Sequence, residues 1–206
     1  MKRTLIFAAL LAAGCSQKPD WTEKELDIIN GQDPVMRVLT IAVPEDSLVL
    51  RTPSTGFSIE DLQTEDYSAL AAKMVATVTS PEQDGVGIAG PQVGINRRVV
   101  AVQRLDKEGE PFQVYPNIRI TAVRGEKVAG EEGCLSVPGR RGSVDRYQEI
   151  DITYTQAVFR KNRLTKDVVA AGVKDTTETV KGFTAVIFQH ECDHLDGVLY
   201  IDKLND

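Results

Sequence analysis

The sequence predicts an α+β domain, mostly β-sheet with two helices. Three runs rich in β-branched residues, at 98–103, 114–123 and 148–158, suit short strands of an antiparallel or mixed sheet. Two other segments, 64–79 and 183–195, carry helix signals instead. With 206 residues the chain has room for one domain with its own hydrophobic core, and no internal repeat is visible.

The composition is that of a globular protein, with 42% hydrophobic and 26% charged residues. The net charge is −6, and no run is rich in Lys or Arg. This charge pattern argues against nucleic acid as a partner. The sequence carries no direct information on oligomeric state, and a monomer is the expectation.

The first residues have the pattern of a bacterial secretory signal. Lys2 and Arg3 form a short basic region, and an apolar run follows from Leu5 to Ala13 that is too short to span a bilayer. The run ends in Ala-Ala-Gly-Cys at 12–15, which resembles the lipobox of bacterial lipoproteins. We therefore expect residues 1–14 to be a signal peptide and Cys15 to carry lipid, which would anchor the protein to a membrane outside the cytoplasm.

Two other interpretations of these residues stay open. The segment could be an ordinary cleaved signal peptide, or a misannotated start, in which case the protein would be cytoplasmic. Residues 15–36 contain Pro19, Gly31 and Pro34 and are predicted to form a polar tether. The tether would hold a folded domain, residues 37–206, clear of the lipid surface.

The first part of the domain is predicted to mix one strand, a turn, a loop and a helix. Residues 38–43 are apolar and strand-like, a turn is expected around Pro44 and Asp46, and 51–58 reads as a loop. The helix at 64–79 places apolar residues on one face at every fourth position. These are Leu70, Met74 and Val78, with Thr64 or Ser68 as the cap.

The boundaries of the later elements are predicted from residues that interrupt helices. Residues 81–87 contain Pro and Gly and end the first helix. The three β-branched runs come next. The second helix, 183–195, ends at Gly197.

The second helix holds the residues with the clearest chemistry. His190 and His194 are the only histidines in the chain, and Glu191 follows the first of them. Residues four apart on a helix share one face, so both imidazoles can bind a single ion. His-Glu-x-x-His is typical of metallohydrolases, in which the carboxylate accepts a proton from water. An exposed, ion-paired helix end is the alternative.

A catalytic zinc-type site needs a third protein ligand. Cys192 lies two positions after His190, about 200° around the helix, and so points away from the ion. Cys134, in a turn-like segment between β runs, could complete the set as a thiolate. A disulfide between Cys134 and Cys192 is the alternative, favoured by an oxidising compartment but opposed by helix geometry.

Three segments together resemble the signature motifs of peptide deformylases, in the family's order. They are Gly-Val-Gly-Ile-Ala-Gly-Pro-Gln at 85–92, Glu-Gly-Cys-Leu-Ser at 132–136 and Gln-His-Glu-Cys-Asp-His-Leu at 189–195. A weaker resemblance extends from Val38 to Leu204. It implies antiparallel or mixed sheets around a central helix that carries His-Glu-x-x-His, plus one N-terminal helix.

The resemblance also implies a metal centre. Cys134, His190 and His194 would hold one divalent ion, Fe2+ in the family. Since ferrous iron oxidises readily outside the cytoplasm, Zn2+ or Ni2+ are alternatives. Glu191 would take the proton of water and pass it to the leaving amine. The Gln92 side chain and the Leu135 backbone N–H would stabilise the oxyanion, although Gln92 could instead only satisfy backbone groups.

The substrate implied by the resemblance is an N-formyl-methionyl peptide. Gly87 suits an edge where substrate backbone pairs with protein backbone, and Arg141 would contact the substrate or product main chain. Four residues are candidates for an apolar side-chain pocket: Val86, Ile88, Val186 and Ile187. Core packing for these four, and a solvated surface cation for Arg141, are the alternatives.

The chain departs from the family pattern at a few places, none of which is a candidate catalytic position. Gly90 replaces an alanine, Tyr115-Pro116 stands for Asn-Pro, and 160–176 is longer and more charged, which predicts a surface loop or a longer hairpin. The predicted cellular location departs further from the family. Family members act on nascent chains, but a lipoprotein lies outside the cytoplasm, where there are no ribosomes. An extracytoplasmic amidase for another N-acyl peptide, or a lipoprotein that only binds formyl peptides, are therefore the alternatives to a deformylase.

Overall fold

The computed structural model describes residues 20–161 and 168–205; at 159–161 and 168–171 it describes the backbone only. The predicted signal peptide and Cys15 lie outside the described residues. The helices are α1 (Glu23–Ile29), α2 (Pro44–Leu50), α3 (Glu65–Val78) and α4 (Gly182–Leu195). The strands are β1 (Gly87–Ala89), β2 (Val99–Gln103), β3 (Phe112–Pro116), β4 (Arg119–Cys134), β5 (Val137–Lys161) and β6 (Val168–Lys181).

The strands form two antiparallel sheets with α4 between them. One sheet has the order β1-β2-β3 and the other the order β4-β5-β6. Helix α4 contacts β1 and β2 on one side and β5 on the other, and its Phe188 and Leu195 share a core with Val100 and Ile150. Helix α3 packs Leu70 against the opposite face of the first sheet. The two sheets thus bury most of α4.

Helix α3 confirms the first predicted helix. The Thr64 side chain accepts the Tyr67 N–H at its N-terminus, which satisfies one of the amides that have no partner inside the helix. Leu70, Met74 and Val78 are fully buried. The loop predicted at 51–58 is also present, apart from one isolated bridge at Thr55.

The segment before α3 differs from the prediction. Residues 38–43 form no strand, although the N–H groups of Leu39 and Ile41 donate to the carbonyls of Gln92 and Ser136. The predicted turn at Pro44 is helix α2, in which proline stands at the first helical position. Proline suits that position because its fixed φ matches the helix and its missing N–H would have no partner there.

The predicted tether is wrong over residues 20–36, which pack onto the domain. Thr22 and Glu25 form a reciprocal capping box at the start of α1, and Ile29 is buried in the core beside α3. Glu25 also binds buried Arg97 through two hydrogen bonds of 2.7 and 3.0 Å. Three helices, instead of the expected one, therefore precede the first strand.

Strand β2 confirms the predicted run at 98–103, whereas β4 and β5 are longer than the sequence predicts. Asn117, with a φ of 54°, divides the run at 114–123 between β3 and β4, and the run at 148–158 lies inside β5. Of the two forms predicted for 160–176, the longer hairpin is confirmed, because Lys161 pairs with Val168; residues 162–167 lie outside the described residues. Within the described part of the chain, no helix is long and apolar enough to cross a membrane.

Glu25→Ala is expected to lower the free energy of unfolding by about 3 kcal/mol, because it leaves the buried Arg97 guanidinium without its carboxylate. Urea unfolding followed by circular dichroism measures the change. The matched control is Glu23→Ala, an exposed residue of the same helix, for which we expect about 0.5 kcal/mol or less. Equal losses in the two variants would contradict the structural role of the ion pair.

Candidate metal centre

Two distant parts of the chain bring three candidate ligands together. Cys134 ends β4, and His190 and His194 lie on one face of α4. The Cys134 Sγ lies 3.2 Å from the His194 Nε2, and one ligand atom from each residue lies within 4.8 Å of the others. A thiolate and two imidazoles at this separation are a donor set that zinc or ferrous iron accepts.

His190 is held in place by Glu132. Its Nδ1 lies 2.8 Å from a Glu132 oxygen, so its Nε2 is the ring atom left for an ion. Arg146 in turn donates to both Glu132 oxygens, at 2.7 and 3.0 Å, and to Asp193 at 2.6 Å. Such outer contacts fix the ring and tautomer of a metal-binding histidine.

Sequence reasoning assigned no role to Glu132 or Arg146. The position of Glu132, two residues before Cys134, could have revealed its role, because alternate residues of a strand point to the same side. Arg146 carried no local signal, because its pairing depends on the β4–β5 register, in which it stands opposite Val128.

The electrostatics of the cluster follow from these contacts. Burial alone would raise the pKa of Glu132, but its hydrogen bonds with His190 and Arg146 lower that pKa to about 2. Burial would lower the pKa of His190, yet hydrogen bonds with Cys134 and Glu132 raise it to about 10. Burial lowers the pKa of His194, whose Nδ1 has no partner among the described residues. Metal binding requires neutral imidazoles. Burial already favours the neutral form of His194, and an ion at the His190 Nε2 would displace the proton from that atom.

Glu191 lies beside the candidate ligands in a buried position. Burial raises the pKa of its carboxyl to about 7. A Cβ at Gly87 would lie 2.5 Å from the Glu191 Oε1 and 2.9 Å from the Ile187 Cγ2. Only glycine therefore allows β1 to pass so close to α4. The Glu191 Oε2 has no hydrogen-bond partner in the described part of the molecule.

The sequence left two roles open for Gln92, an oxyanion donor or an amide that only satisfies backbone groups, and its contacts are compatible with both. Its Oε1 accepts the Ala89 N–H at 2.8 Å, which satisfies a backbone group. Its Nε2 donates to the Ser136 Oγ at 3.2 Å and lies 3.6 Å from the Cys134 Sγ. The backbone contact thus orients the amide NH2 toward the candidate metal ligands. No acceptor for the Leu135 N–H is found among the described residues.

A cavity of about 580 Å³ opens beside these groups. Of the predicted substrate-binding residues, five line it: Val86, Gly87, Arg141, Val186 and Ile187. The prediction for Ile88 is wrong, because its side chain is fully buried in the core with Leu70. Successive residues of a strand point to opposite faces, so Gly87 faces α4 while Ile88 faces α3. Phe183 and Arg140 also line the cavity and were missed.

Cys192 takes no part in the site. It is buried among the apolar residues of the α4 core, and burial raises the pKa of its thiol. Both Cys134 and Cys192 are free thiols, so the disulfide alternative is wrong. The structure also places Gln189 on the backbone of Tyr147.

Tyr200 is a further neighbour that the sequence did not reveal. Its ring stacks on His190, with centroids 6.0 Å apart and planes at 26°. The segment that carries it is fastened by an ion pair between Arg51 and Asp202 and by the Asn205 N–H, which donates to the Ser143 carbonyl. The chain after α4 therefore packs directly against a candidate metal ligand.

The sequence matches a known family model and its members. The model for polypeptide deformylase matches residues 36–206. A peptide deformylase of Leptospira biflexa is 34% identical over 177 residues, which cover 82% of this chain and 88% of the relative. One from Desulforudis audaxviator is 38% identical over 140 residues, or 68% of this chain and 79% of the relative.

Solved structures agree in fold. A class I type b peptide deformylase from Acinetobacter baumannii, bound to Met-Ala-Ser, superposes with a TM-score of 0.64 at 31% identity, covering 82% of this chain and 98% of that one. The peptide deformylase of Thermotoga maritima superposes with a TM-score of 0.63 at 28% identity, covering 84% of this chain and 99% of that one.

Glu132→Ala is expected to weaken metal binding by about 10- to 100-fold, because it releases the His190 ring and removes a negative charge behind it. Competition with a coloured chelator measures the affinity for zinc. Glu126→Ala, an exposed glutamate on the same strand, is the control and should leave the affinity unchanged. If the two variants bind zinc equally well, Glu132 does not support the site.

Proposed function

This chain belongs to the peptide deformylase family, and we propose that it uses one divalent ion, held by Cys134, His190 and His194, to release formate from N-formyl-methionyl peptides. Removal of the N-formyl group is the activity that family membership carries. The observation that supports the metal ligands is the convergence of their three donor atoms within 4.8 Å, at a cavity that Glu191 also lines.

When bound, a divalent ion supplies Lewis acidity, which makes water nucleophilic near neutral pH. Fe2+ is the metal that the family resemblance implies. Zn2+ and Ni2+ are the alternatives for an enzyme exposed to oxygen, since neither oxidises as readily as Fe2+.

Glu191 is proposed to move the proton. Hydrolysis of the formyl amide adds water across the C–N bond, and formate leaves with the oxygen while the amine gains a proton. The carboxylate accepts the proton of the attacking water and delivers it to the leaving nitrogen. Its Oε1 lies beside Gly87, which lines the cavity, while its Oε2 is buried without a hydrogen-bond partner among the described residues.

Two donors are proposed to stabilise the negative charge on the formyl oxygen. The Gln92 Nε2 is held near Cys134 by the contacts of its amide with Ala89 and Ser136. The Leu135 N–H belongs to the turn that follows Cys134 and has no acceptor among the described residues. Donors that are already oriented cost no reorganisation when the charge develops.

The cavity walls support methionine as the first residue of the substrate. Val86, Val186 and Ile187 are apolar and line the cavity beside Glu191. The edge strand β1 pairs with β2 on one side only, so substrate backbone can pair with its other side. The Acinetobacter baumannii relative that binds Met-Ala-Ser supports the same class of ligand here.

The protein is further proposed to work outside the cytoplasm, anchored through lipid on Cys15. The basic and apolar pattern of residues 2–14 supports this location. Because Asp20 already contacts Arg97 and Asp61 of the domain, only residues 16–19 would separate the lipid from the packed chain. The domain would then lie close to the membrane surface.

Glu191→Gln is expected to reduce formate release from formyl-Met-Ala-Ser by at least about 100-fold, because the amide cannot accept the proton. Protein purified without oxygen and loaded separately with iron, nickel or zinc is assayed for formate. Glu23→Gln, far from the cavity, is the control and should retain full activity.

Metal analysis of the same samples separates the alternatives. The Glu191→Gln protein should keep its metal, since Glu191 is not among the proposed ligands. Stoichiometric metal without formate from the unmodified protein, whichever ion is loaded, would refute the deformylase proposal. An amidase for another N-acyl group, or a protein that only binds formyl peptides, would then take its place.

Cys15→Ser is expected to move the protein from the membrane fraction to the soluble periplasmic or external fraction, or to leave an uncleaved precursor, because serine cannot accept the thioether-linked lipid. Mass spectrometry of the purified protein should find a lipid-modified N-terminus at Cys15. An unmodified Met1 in the cytoplasmic fraction would contradict the anchored location.

A further inference from the structure

Two adjacent arginines stand at the mouth of the cavity. Arg140 and Arg141 are both exposed, and both line the cavity together with Cys134 and Glu191. The Arg141 side chain runs over Gly133, where an added Cβ would lie 3.6 Å from its Cγ and 3.9 Å from its Cζ. Two positive charges therefore line the same cavity as two of the candidate metal ligands.

An irregularity in the β4–β5 hairpin puts both arginines on the same side. Neighbouring residues of a regular strand point to opposite faces. Here the register passes from the pair Cys134–Val137 directly to the pair Gly133–Arg141, so residues 138–140 bulge out of β5. Gly139 allows the bend with a φ of 73°. The bulge breaks the alternation, and Arg140 lines the same cavity as Arg141.

These two arginines lack ion-pair partners in the described part of the chain, unlike all the others there whose side chains are described. The others each contact a carboxylate: Arg37, Arg51, Arg97, Arg98, Arg104, Arg119, Arg124 and Arg146. In an acidic chain that pairs its arginines so consistently, two free guanidiniums at a catalytic cavity indicate an external anion.

The carboxylates around the cavity do not neutralise them. Asp84 and Glu131 line the cavity but form no ion pair with either arginine in the described residues. Glu132 is bound to Arg146 and His190, and Glu191 is buried. The guanidiniums are thus free to bind an anion that enters with the substrate.

We propose, on the basis of the deformylase function above, that Arg140 and Arg141 select short released N-formyl peptides by binding the carboxylate at their C-terminus. A strand extends about 3.3 Å per residue, so the terminus of a dipeptide or tripeptide lies about 7–10 Å from the formyl group. An arginine side chain reaches several ångströms from its strand, and guanidinium binds carboxylate with two parallel hydrogen bonds.

This selection fits the proposed location. A nascent chain on a ribosome has an uncharged peptide bond at the position where a tripeptide has its terminal carboxylate. Nascent chains are also absent outside the cytoplasm. Short formyl peptides that have left the ribosome carry both the formyl group and a nearby negative charge. The substrate class is therefore one that a protein at a membrane surface can meet.

The test compares formyl-Met-Ala-Ser with its C-terminal amide in the metal-loaded protein. We expect kcat/KM to be about 5- to 10-fold higher for the acid, a range set by one or two charge-assisted hydrogen bonds at a partly exposed site. The difference should lie mainly in KM, since the contact is remote from the reacting bond. It should fall as salt is added and as the peptide is lengthened to six residues.

The variant Arg140→Gln with Arg141→Gln should bring the acid-to-amide ratio to about one. Arg124→Gln, an exposed arginine on β4, is the matched control and should keep the ratio of the unmodified protein. Formyl-Met-Ala-Asp-amide tests which carboxylate the arginines bind. High activity means that they also accept a side-chain carboxylate, and low activity means that they require the carboxylate at the C-terminus.

Equal kcat/KM for acid and amide in the unmodified protein, or an unchanged ratio in the double variant, would overturn the proposal. Absence of formate from every substrate would instead contradict the deformylase function. In that case calorimetric binding of Met-Ala-Ser and its amide still tests the arginines, because tighter binding of the acid must disappear in the double variant.

Discussion

The contact on which the site depends is the Glu132 carboxylate, which joins a β-hairpin to the central helix. One of its oxygens holds the His190 ring, and both accept hydrogen bonds from Arg146. Arg146 also reaches Asp193 on the same helix. The charged side chains of Glu132 and Arg146 are thus buried together, which is stable only because each has its partner. Their positions decide where Cys134, two residues after Glu132, meets the histidines.

A second constraint is the narrow space between the first sheet and α4. Gly87 lets the edge strand pass against Glu191, so the strand proposed to pair with substrate and the proposed proton acceptor are in direct contact. Burial of α4 between two sheets removes water from one side of the site, and the cavity supplies access from the other. A rigid, mostly buried helix holds the reacting groups more accurately than a surface loop would.

The mouth of the cavity is organised differently from its interior. Inside, each charge is paired or buried, and the geometry suits the chemistry of formyl amides. At the mouth, the bulge at 138–140 presents Arg140 and Arg141 without partners in the described chain. The interior supports the reaction that the family shares, while the proposed role of the mouth is to select short peptides that carry a carboxylate.

Local pattern alone determined the two long helices and the shared face of the two histidines, because residues four apart on a helix lie on one face wherever the chain goes. The three motifs were recognised by their resemblance to a family. Only the tertiary structure decided that Ile88 faces the core, that residues 20–36 pack onto the domain, and that Arg146 and Tyr200 support His190. Those contacts join segments far apart in sequence, and their register depends on how whole sheets and helices pack, which no local spacing encodes.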